Sequence, residues 1–182
     1  MKHCKTGVID TPRLTLRPFV LEDAADSFAN WASDPDVQTE YSEPVYPTEQ
    51  AVAELLAKWV AQYQTPGFYR WAITLKESGQ NIGLIAFCRV YEDCRTAEIE
   101  YCIGRAFWGH GSAGEALSAV IETTFRDTDF EKLEAYHREA NQKSGRVLEK
   151  SLMHRTDSVE RFKRLGQQPQ GEICYAVTRK DI

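Results

Sequence analysis

Alternating apolar and polar positions predict most of the strands in this chain. In residues 13–19, Leu14 and Leu16 alternate with polar neighbours, as in a strand with one buried face. The three central runs are separated only by short turns, which predicts an antiparallel meander. Strands are predicted at residues 13–19, 68–75, 81–90, 96–104, 132–137 and 171–182.

Helical spacing of apolar residues predicts four helices. Residues 22–35 read as a helix that stops before Pro35, because the residue before a proline disfavours the α region. Residues 47–63 form a second, with Thr48 as its N-cap. A third begins at Ala113, and a fourth covers 141–152. With no internal repeat or low-complexity linker, residues 1–182 are expected to form one domain of α/β class with a mixed sheet.

Composition narrows the function classes. The chain has 182 residues, a net charge of −5, 42% hydrophobic and 27% charged residues, as in soluble globular proteins. The acidic balance argues against a nucleic-acid partner and suits a cationic one such as an amine. No apolar run approaches a membrane span, and the start lacks the apolar core of a signal peptide. Five cysteines without a CxxC pair predict reduced thiols and a cytoplasmic protein.

Three glycines stand where the third predicted strand of the meander leads into the helix at Ala113. Gly109 and Gly111 precede the helix and Gly114 lies in its first turn. The first amides of a helix have no internal acceptor, and glycines let a ligand approach them, so this geometry suits phosphate groups. The alternative is a simple tight turn. The stretch is neither a P-loop nor a dinucleotide fingerprint, because the lysine and the ribose-binding acid are missing.

The residues around these glycines resemble a known acyl-CoA motif. The run "WGHGSA" (108–113) is similar to Q/R-x-x-G-x-G/A of the GNAT N-acyltransferase superfamily, with the tryptophan typical of its Rim-type branch, the ribosomal-protein N-terminal acetyltransferase relatives. That branch reads W-G-x-G-[YF]-[AM]-x-E-A, in which Ser112 here replaces the aromatic. "TPRLTLRPFVLEDA" and "NQKSGRVLEKSLM" resemble further parts of the same branch.

The resemblance implies a GNAT fold, with a mostly antiparallel mixed sheet flanked by helices and a splayed central strand pair. It implies acetyl transfer from acetyl-CoA to a primary amine of a protein N-terminus or small molecule, without metal, nucleic acid or membrane. The protein is expected to be a monomer or homodimer. The residues expected to bind the coenzyme are Trp108, Gly109, His110, Gly111, Ser112, Ala113, Gly114 and Asn141.

The same resemblance suggests catalytic residues. Glu98 and Glu100 share one strand face, and either is a candidate general base, although both would also suit a solvated strand face. Tyr101, on the opposite face, is interpreted as a core residue. Ser144 is a candidate donor to the departing sulfur, since the tyrosine used by many relatives is replaced by Leu148. Asn141 would bind the pantetheine arm or cap the helix.

Some segments depart from the family pattern. The Gly-Phe that follows the last helix of the branch is replaced by Leu152-Met153, and residues 154–171 match poorly. A non-catalytic module that binds acyl-CoA or a peptide therefore remains an alternative. The acidic, aromatic run at 40–46 is expected to line the acceptor side. His110 is expected to point to solvent and His137 to end a strand.

Overall fold

The structure, a computed structural model, describes residues 1–41 and 43–182. Strands of these residues form one sheet in the order β1-β2-β3-β4-β5-β6-β8-β7. Neighbouring strands are antiparallel except for β5 and β6, which are parallel. The strands are β1 (Ile9–Asp10), β2 (Leu14–Arg17), β3 (Arg70–Leu75), β4 (Asn81–Tyr91), β5 (Thr96–Ile103), β6 (Lys132–Arg138), β7 (His154–Thr156) and β8 (Glu172–Thr178).

Helices cover both faces of the sheet, because its central strands are apolar on both sides. On β4, Leu84 packs with the N-terminal helices, whereas the next residue, Ile85, packs with α4 on the opposite face. This arrangement confirms the predicted α/β class. The helices are α1 (Ala24–Ser27), which continues as a π-helical turn (Phe28–Ala32), α2 (Pro35–Tyr41), α3 (Glu49–Gln62), α4 (Ser112–Asp127), α5 (Gln142–Glu149) and α6 (Glu160–Leu165).

The two parallel strands separate part-way along their length. Their pairing ends where Glu98 lies opposite Glu134, yet β5 continues to Ile103 and β6 to Arg138. This is the splayed central pair that the family resemblance implies. A cleft of about 1170 Å³ opens between the diverging ends, bordered by the starts of α4 and α5.

Several boundaries follow the predictions and several do not. The side chain of Thr48 accepts a hydrogen bond from the amide of Ala51, which confirms it as the cap of α3. The sequence predicted that a helix ends before Pro35 but did not predict a new one there. In the structure Pro35 is the first residue of α2. Proline suits the first helical position, and the carboxylate of Asp34 accepts the amide of Asp36.

The C-terminal region holds two elements that were not predicted, β7 and α6. α6 ends at Gly166, which adopts a left-handed conformation (φ +63°). The helix predicted at 141–152 is shorter, because α5 ends at Glu149. There the Ser151 hydroxyl donates to the carbonyl of Leu148 and accepts the amide of Met153. A serine thus makes the turn for which relatives use glycine.

Candidate active site

The glycine loop presents backbone donors to the cleft. Gly109 and Gly111 have φ values of +80° and +79°, so the chain enters α4 through a conformation that favours glycine. The amides of Ser112, Ala113 and Gly114 are in the first turn, where helical geometry offers no acceptor. A Cβ added to Gly109 or Gly114 would meet no protein atom within 4 Å. The loop therefore fits an anionic group seated on its amides.

A hydrogen-bond network anchors this loop to the residues that immediately precede β2. The carboxylate of Glu115 accepts hydrogen bonds from Thr11 Oγ1, and from the backbone amide and Nε of Arg13. Burial opposes ionisation, but these hydrogen bonds outweigh it and lower the pKa of Glu115. Arg13 also donates to the carbonyl of His110 at 2.7 Å. The negative charge of Glu115 at the start of α4 is therefore neutralised, and the loop conformation is fixed.

Most residues predicted to bind the coenzyme lie in the cleft wall. The indole of Trp108 donates to the carbonyl of Ile103 at 2.6 Å, and Lys143 Nζ lies 3.7 Å from the centre of its ring. His110 is the exception, because its exposed side chain does not line the cleft, although its carbonyl helps to hold the loop. The cleft-lining members of the predicted set are Trp108, Gly109, Gly111, Ser112, Ala113, Gly114 and Asn141.

A hydroxyl pair lies at the start of α5. Asn141 Oδ1 accepts the amide of Ser144 at 3.0 Å, so Asn141 caps α5. Ser144 Oγ lies 2.8 Å from the hydroxyl of Tyr101 on β5. The interpretation of Tyr101 as a core residue is therefore incomplete: its ring packs against the core, but its hydroxyl reaches the cleft. Burial raises the pKa of Tyr101, which keeps the phenol protonated.

Glu98 is buried at the edge of the cleft and only partly paired. Its Oε1 receives Cys88 Sγ at 3.3 Å and Arg89 Nη1 at 3.4 Å, and Arg161 Nη1 lies 3.9 Å away. The exposure of Glu98 is only 2%, and its Oε2 has no hydrogen-bond partner among the described residues. Burial raises the pKa of Glu98 above its usual value. Glu98 is thus a candidate proton acceptor that lines the cleft and has one buried, unpaired carboxylate oxygen.

Glu100 shares the strand face of Glu98 but makes shorter hydrogen bonds and is less buried. Its Oε1 accepts the hydroxyl of Tyr41 at 2.7 Å and Arg70 Nη2 at 3.0 Å. The guanidinium of Arg70 also stacks on the ring of Trp59, 4.3 Å from its centre. These contacts give Glu100 a clear role in joining α2, α3 and β5.

The opposite end of the cleft combines acids and arginines. Glu40, Tyr41 and Glu43 line it, as expected for part of the run at 40–46, whereas Ser42 lies outside the described residues. Arg161 reaches the cleft from α6, a contribution that the poorly matched segment gave no reason to expect. The Gly166 that ends α6 was the available signal for that helix.

His137 is the penultimate residue of β6, as expected for a residue at a strand end, and it is buried. Its Nδ1 lies 2.8 Å from the carbonyl oxygen of Arg138, and its ring packs on α5 at Gly145. A Cβ on Gly145 would approach that ring to 2.8 Å, so only glycine lets α5 lie this close to the sheet. Leu148, at the position where relatives carry a tyrosine, is fully buried.

Metal-binding groups, disulfides and membrane-spanning helices were also sought in the part of the chain that the structure describes. No group of three or more His, Cys, Asp or Glu residues there is arranged to hold a metal ion. All five cysteines are free thiols. Within residues 1–41 and 43–182, no helix has both the length and the apolar character that a membrane crossing requires.

A family model and a curated relative both identify this chain as similar to GNAT acetyltransferases. The family described as "Acetyltransferase (GNAT) domain" matches residues 13–154. The chain is 33% identical over 139 residues to the "Uncharacterized N-acetyltransferase p20" of Bacillus licheniformis, covering 76% of this chain and 77% of that protein.

Solved structures agree in fold. A GNAT-family acetyltransferase from Bacillus anthracis superposes with a TM-score of 0.76 at 24% identity, covering 95% of this chain and 99% of that one. A ribosomal-protein-S5-alanine acetyltransferase from Vibrio fischeri gives a TM-score of 0.77 at 14% identity, covering 96% and 97%. At these identities the likeness concerns the fold alone.

Proposed function

Because the chain belongs to the GNAT acetyltransferase family, we propose that it transfers the acetyl group of acetyl-CoA to a primary amine. The acceptor is a protein N-terminus or a small molecule. Homologues named as N-acetyltransferases support an enzyme over a non-catalytic binding module. A relationship to the Rim-type branch is part of this proposal, and it is supported by the tryptophan-containing glycine loop and the "NQKS" sequence.

The glycine loop carries this proposal. GNAT enzymes use acetyl-CoA, whose pyrophosphate needs several donors that side chains do not obstruct. Gly109, Gly111 and Gly114 supply that geometry, with open space beside two of them. Asn141 and Ser144 lie in the same cleft, on the α5 side. The residues present therefore fit the coenzyme without rearrangement of the loop.

Proton transfer is assigned to groups on the two sides of the splayed strands. The bound coenzyme supplies an activated acetyl thioester. Ser144 Oγ, held by Tyr101, gives its proton to the leaving sulfur and regains one from solvent water, while the raised pKa of Tyr101 keeps its phenol as a hydrogen-bond donor to Ser144. The unpartnered Oε2 of Glu98 accepts the proton of the amine, directly or through one water. Glu100 shapes the acceptor side through Tyr41 and Arg70.

An acceptor panel with a thiol readout tests the proposal. Acetyl-CoA is incubated with peptides bearing free N-termini, polyamines and aminoglycosides, and release of free CoA thiol is followed. Thermal unfolding with acetyl-CoA is measured in parallel, because ligand at a hundredfold excess over Kd should add about 2.7 kcal/mol of stability. Acceptor-dependent thiol release together with a thermal shift supports the proposal. Absence of both at millimolar acetyl-CoA overturns it.

A further inference from the structure

Two arginines flank Glu98 at the end of the cleft where β5 and β6 stop pairing. Arg89 Nη1 lies 3.4 Å from Glu98 Oε1, and Arg161 Nη1 lies 3.9 Å from the same oxygen. Arg89 and Arg161 both line the cleft, and their side chains are 44% and 34% exposed. We refer to these two side chains as the arginine pair. Its guanidinium groups are accessible to a molecule in the cleft, whereas Glu98 itself is buried.

A bulge in β4 brings Arg89 to the face of Glu98. The ladder pairs Phe87 with Ile99 and then Arg89 with Glu98, so Cys88 is an extra residue that reverses the alternation. In a regular strand Arg89 would share the face of Phe87, which packs in the same core as α4. Because of the bulge, Cys88 and Arg89 both approach Glu98 Oε1, at 3.3 Å and 3.4 Å.

Tyr136 on β6 holds the second guanidinium of the arginine pair. Arg161 comes from α6, and its Nη1 donates a hydrogen bond to the hydroxyl of Tyr136. The guanidinium carbon of Arg161 also lies 5.5 Å from the centre of the Tyr136 ring. An arginine presents several N–H donors in a planar fork. Both members of the arginine pair therefore keep N–H donors that no described residue accepts.

The acids around the arginine pair do not neutralise it. Among the described residues, Glu98 is the one carboxylate within ion-pair distance of either guanidinium. The other cleft glutamates make no ion pair with it, and they are Glu40, Glu43, Glu100 and Glu115. Glu100 and Glu115 are each bound to another arginine, at 3.0 Å and 2.7 Å. Two guanidinium groups that share one carboxylate leave a net positive charge beside Glu98.

We propose that the arginine pair binds a carboxylate of the acceptor next to its reacting amine, so that the acceptors are free α-amino acids. This inference rests on the proposed acetyl transfer, and the covalent steps are those described above. A guanidinium binds a carboxylate through charge-assisted hydrogen bonds. A carboxylate held by either Nη1 would lie within about 7 Å of Glu98 Oε1. In an α-amino acid a single carbon separates amine and carboxylate, which matches a base and an anion site that adjoin each other.

Amino acids and their amides are the matched acceptors for the test. Alanine, methionine and lysine are each compared with the corresponding amide, which keeps the amine and the side chain but lacks the carboxylate charge. We measure kcat/KM from thiol release, and Kd by calorimetric titration into protein saturated with CoA. Both should favour the acid by about tenfold or more, as charge-assisted hydrogen bonds do. The amide has the less basic amine, because a carboxylate stabilises the ammonium form, so intrinsic reactivity opposes this preference.

A double variant and a charge-matched control identify the residues. Arg89→Gln/Arg161→Gln should bind and acetylate acid and amide equally well. The ratio between the two acceptors is decisive, because an altered Glu98 would slow both of them alike. Arg126→Gln/Arg155→Gln removes two exposed arginines outside the cleft, each also paired with an acid, and should keep the wild-type ratio. Far-UV circular dichroism checks folding. If the double variant does not fold, the two single variants replace it, and each should lower the ratio.

Three results overturn the inference: equal use of acid and amide by the wild type, a preference that persists without the arginine pair, or a preference that the control also loses. Acetylation of peptides or polyamines but not of amino acids overturns it too, and the proposed function survives. A preference for a peptide that begins with aspartate over one that begins with asparagine, without a preference for free amino acids, would assign the arginine pair to a side-chain carboxylate instead. If the wild type shows neither thiol release nor a thermal shift with acetyl-CoA, the proposed function and this inference fail together.

Discussion

The hydroxyl oxygens of Tyr101 and Ser144 lie 2.8 Å apart, although the two residues belong to different elements, β5 and α5. Either hydroxyl can be the donor in this contact; we propose that the phenol donates to Ser144, which leaves the serine proton free to point into the cleft. Asn141 fixes the position of Ser144 by accepting its backbone amide. The pair is therefore pre-organised to deliver one proton from a defined oxygen.

Removing either hydroxyl should slow turnover with little effect on coenzyme binding. We expect Ser144→Ala to lower kcat by about a hundredfold, since a positioned proton donor contributes at least that much. Tyr101→Phe should also lower kcat, by a smaller factor. The double variant should be no slower than Ser144→Ala, because the hydroxyls act as a unit. Steady-state kinetics and the Kd of acetyl-CoA measure both effects. A fall of only a few-fold in Ser144→Ala would make water the donor.

Glu98 and Glu100 should differ in their effect on the pH profile. A general base works as the carboxylate, so activity should fall as the pH drops through the pKa of Glu98, which burial raises. Glu98→Gln should lower kcat by about a hundredfold and remove this acid limb. Glu100→Gln is the matched control, because it lies on the same strand face and should retain the limb. Profiles of kcat against pH for the wild type, Glu98→Gln and Glu100→Gln show which glutamate is the general base. Loss of the limb in Glu100→Gln alone would reverse the assignment.

Gly114→Ala should change stability and coenzyme binding in opposite directions. Gly114 is helical and an added Cβ meets no protein atom within 4 Å, so alanine should stabilise α4 by about 0.5 to 1 kcal/mol. The same methyl would enter the space proposed for the pyrophosphate and should weaken acetyl-CoA binding. Thermal unfolding and calorimetric titration measure the two effects. Higher stability with unchanged affinity would show that no ligand approaches this residue.

Gly111→Ala should weaken coenzyme binding more than its effect on stability explains. Gly111 has φ +79°, and alanine there costs about 1 to 2 kcal/mol. Gly79, in the turn between β3 and β4, has φ +72° and open space around it, so Gly79→Ala imposes similar strain far from the cleft. We expect both variants to lose stability and only Gly111→Ala to lose affinity for acetyl-CoA. Equal affinities in the two variants would leave Gly111 as a turn residue.

Local patterns were sufficient for the regular part of this fold. The meander, the apolar stripe of α4 and the cap at Thr48 depend on neighbouring residues, and all three were predictable. α2 and α6 were missed although each carried a local signal, a proline at the first helical position and a glycine after the last turn. Pro35 was taken to mark the end of the preceding helix, but it is also the first residue of α2, a position that suits proline.

The site was predictable where it is local and not where it depends on the fold. The glycine loop and the cap of α5 are contiguous in sequence. Tyr101 was assigned to the core because it alternates with Glu100, but the core face becomes a cleft wall where β5 and β6 separate. Alternation also could not distinguish Glu98 from Glu100. Their surroundings differ because distant segments contribute different partners: Arg161 lies near Glu98, whereas Tyr41 and Arg70 bind Glu100.

The short pairing of β5 with β6 has a mechanical consequence. Among the described residues, the ladder between β5 and β6 has three residue pairs, from Thr96–Lys132 to Glu98–Glu134. The sheet thus has two arms, β1–β5 and β6–β8, which meet at this narrow seam and are also joined by the shared core. Tyr101 lies three residues, about 10 Å, beyond the seam, and its bond to Ser144 ties one arm to the helix carried by the other. The contact proposed to position a proton thereby also bridges the two arms across the cleft, beyond the point where their strands stop pairing.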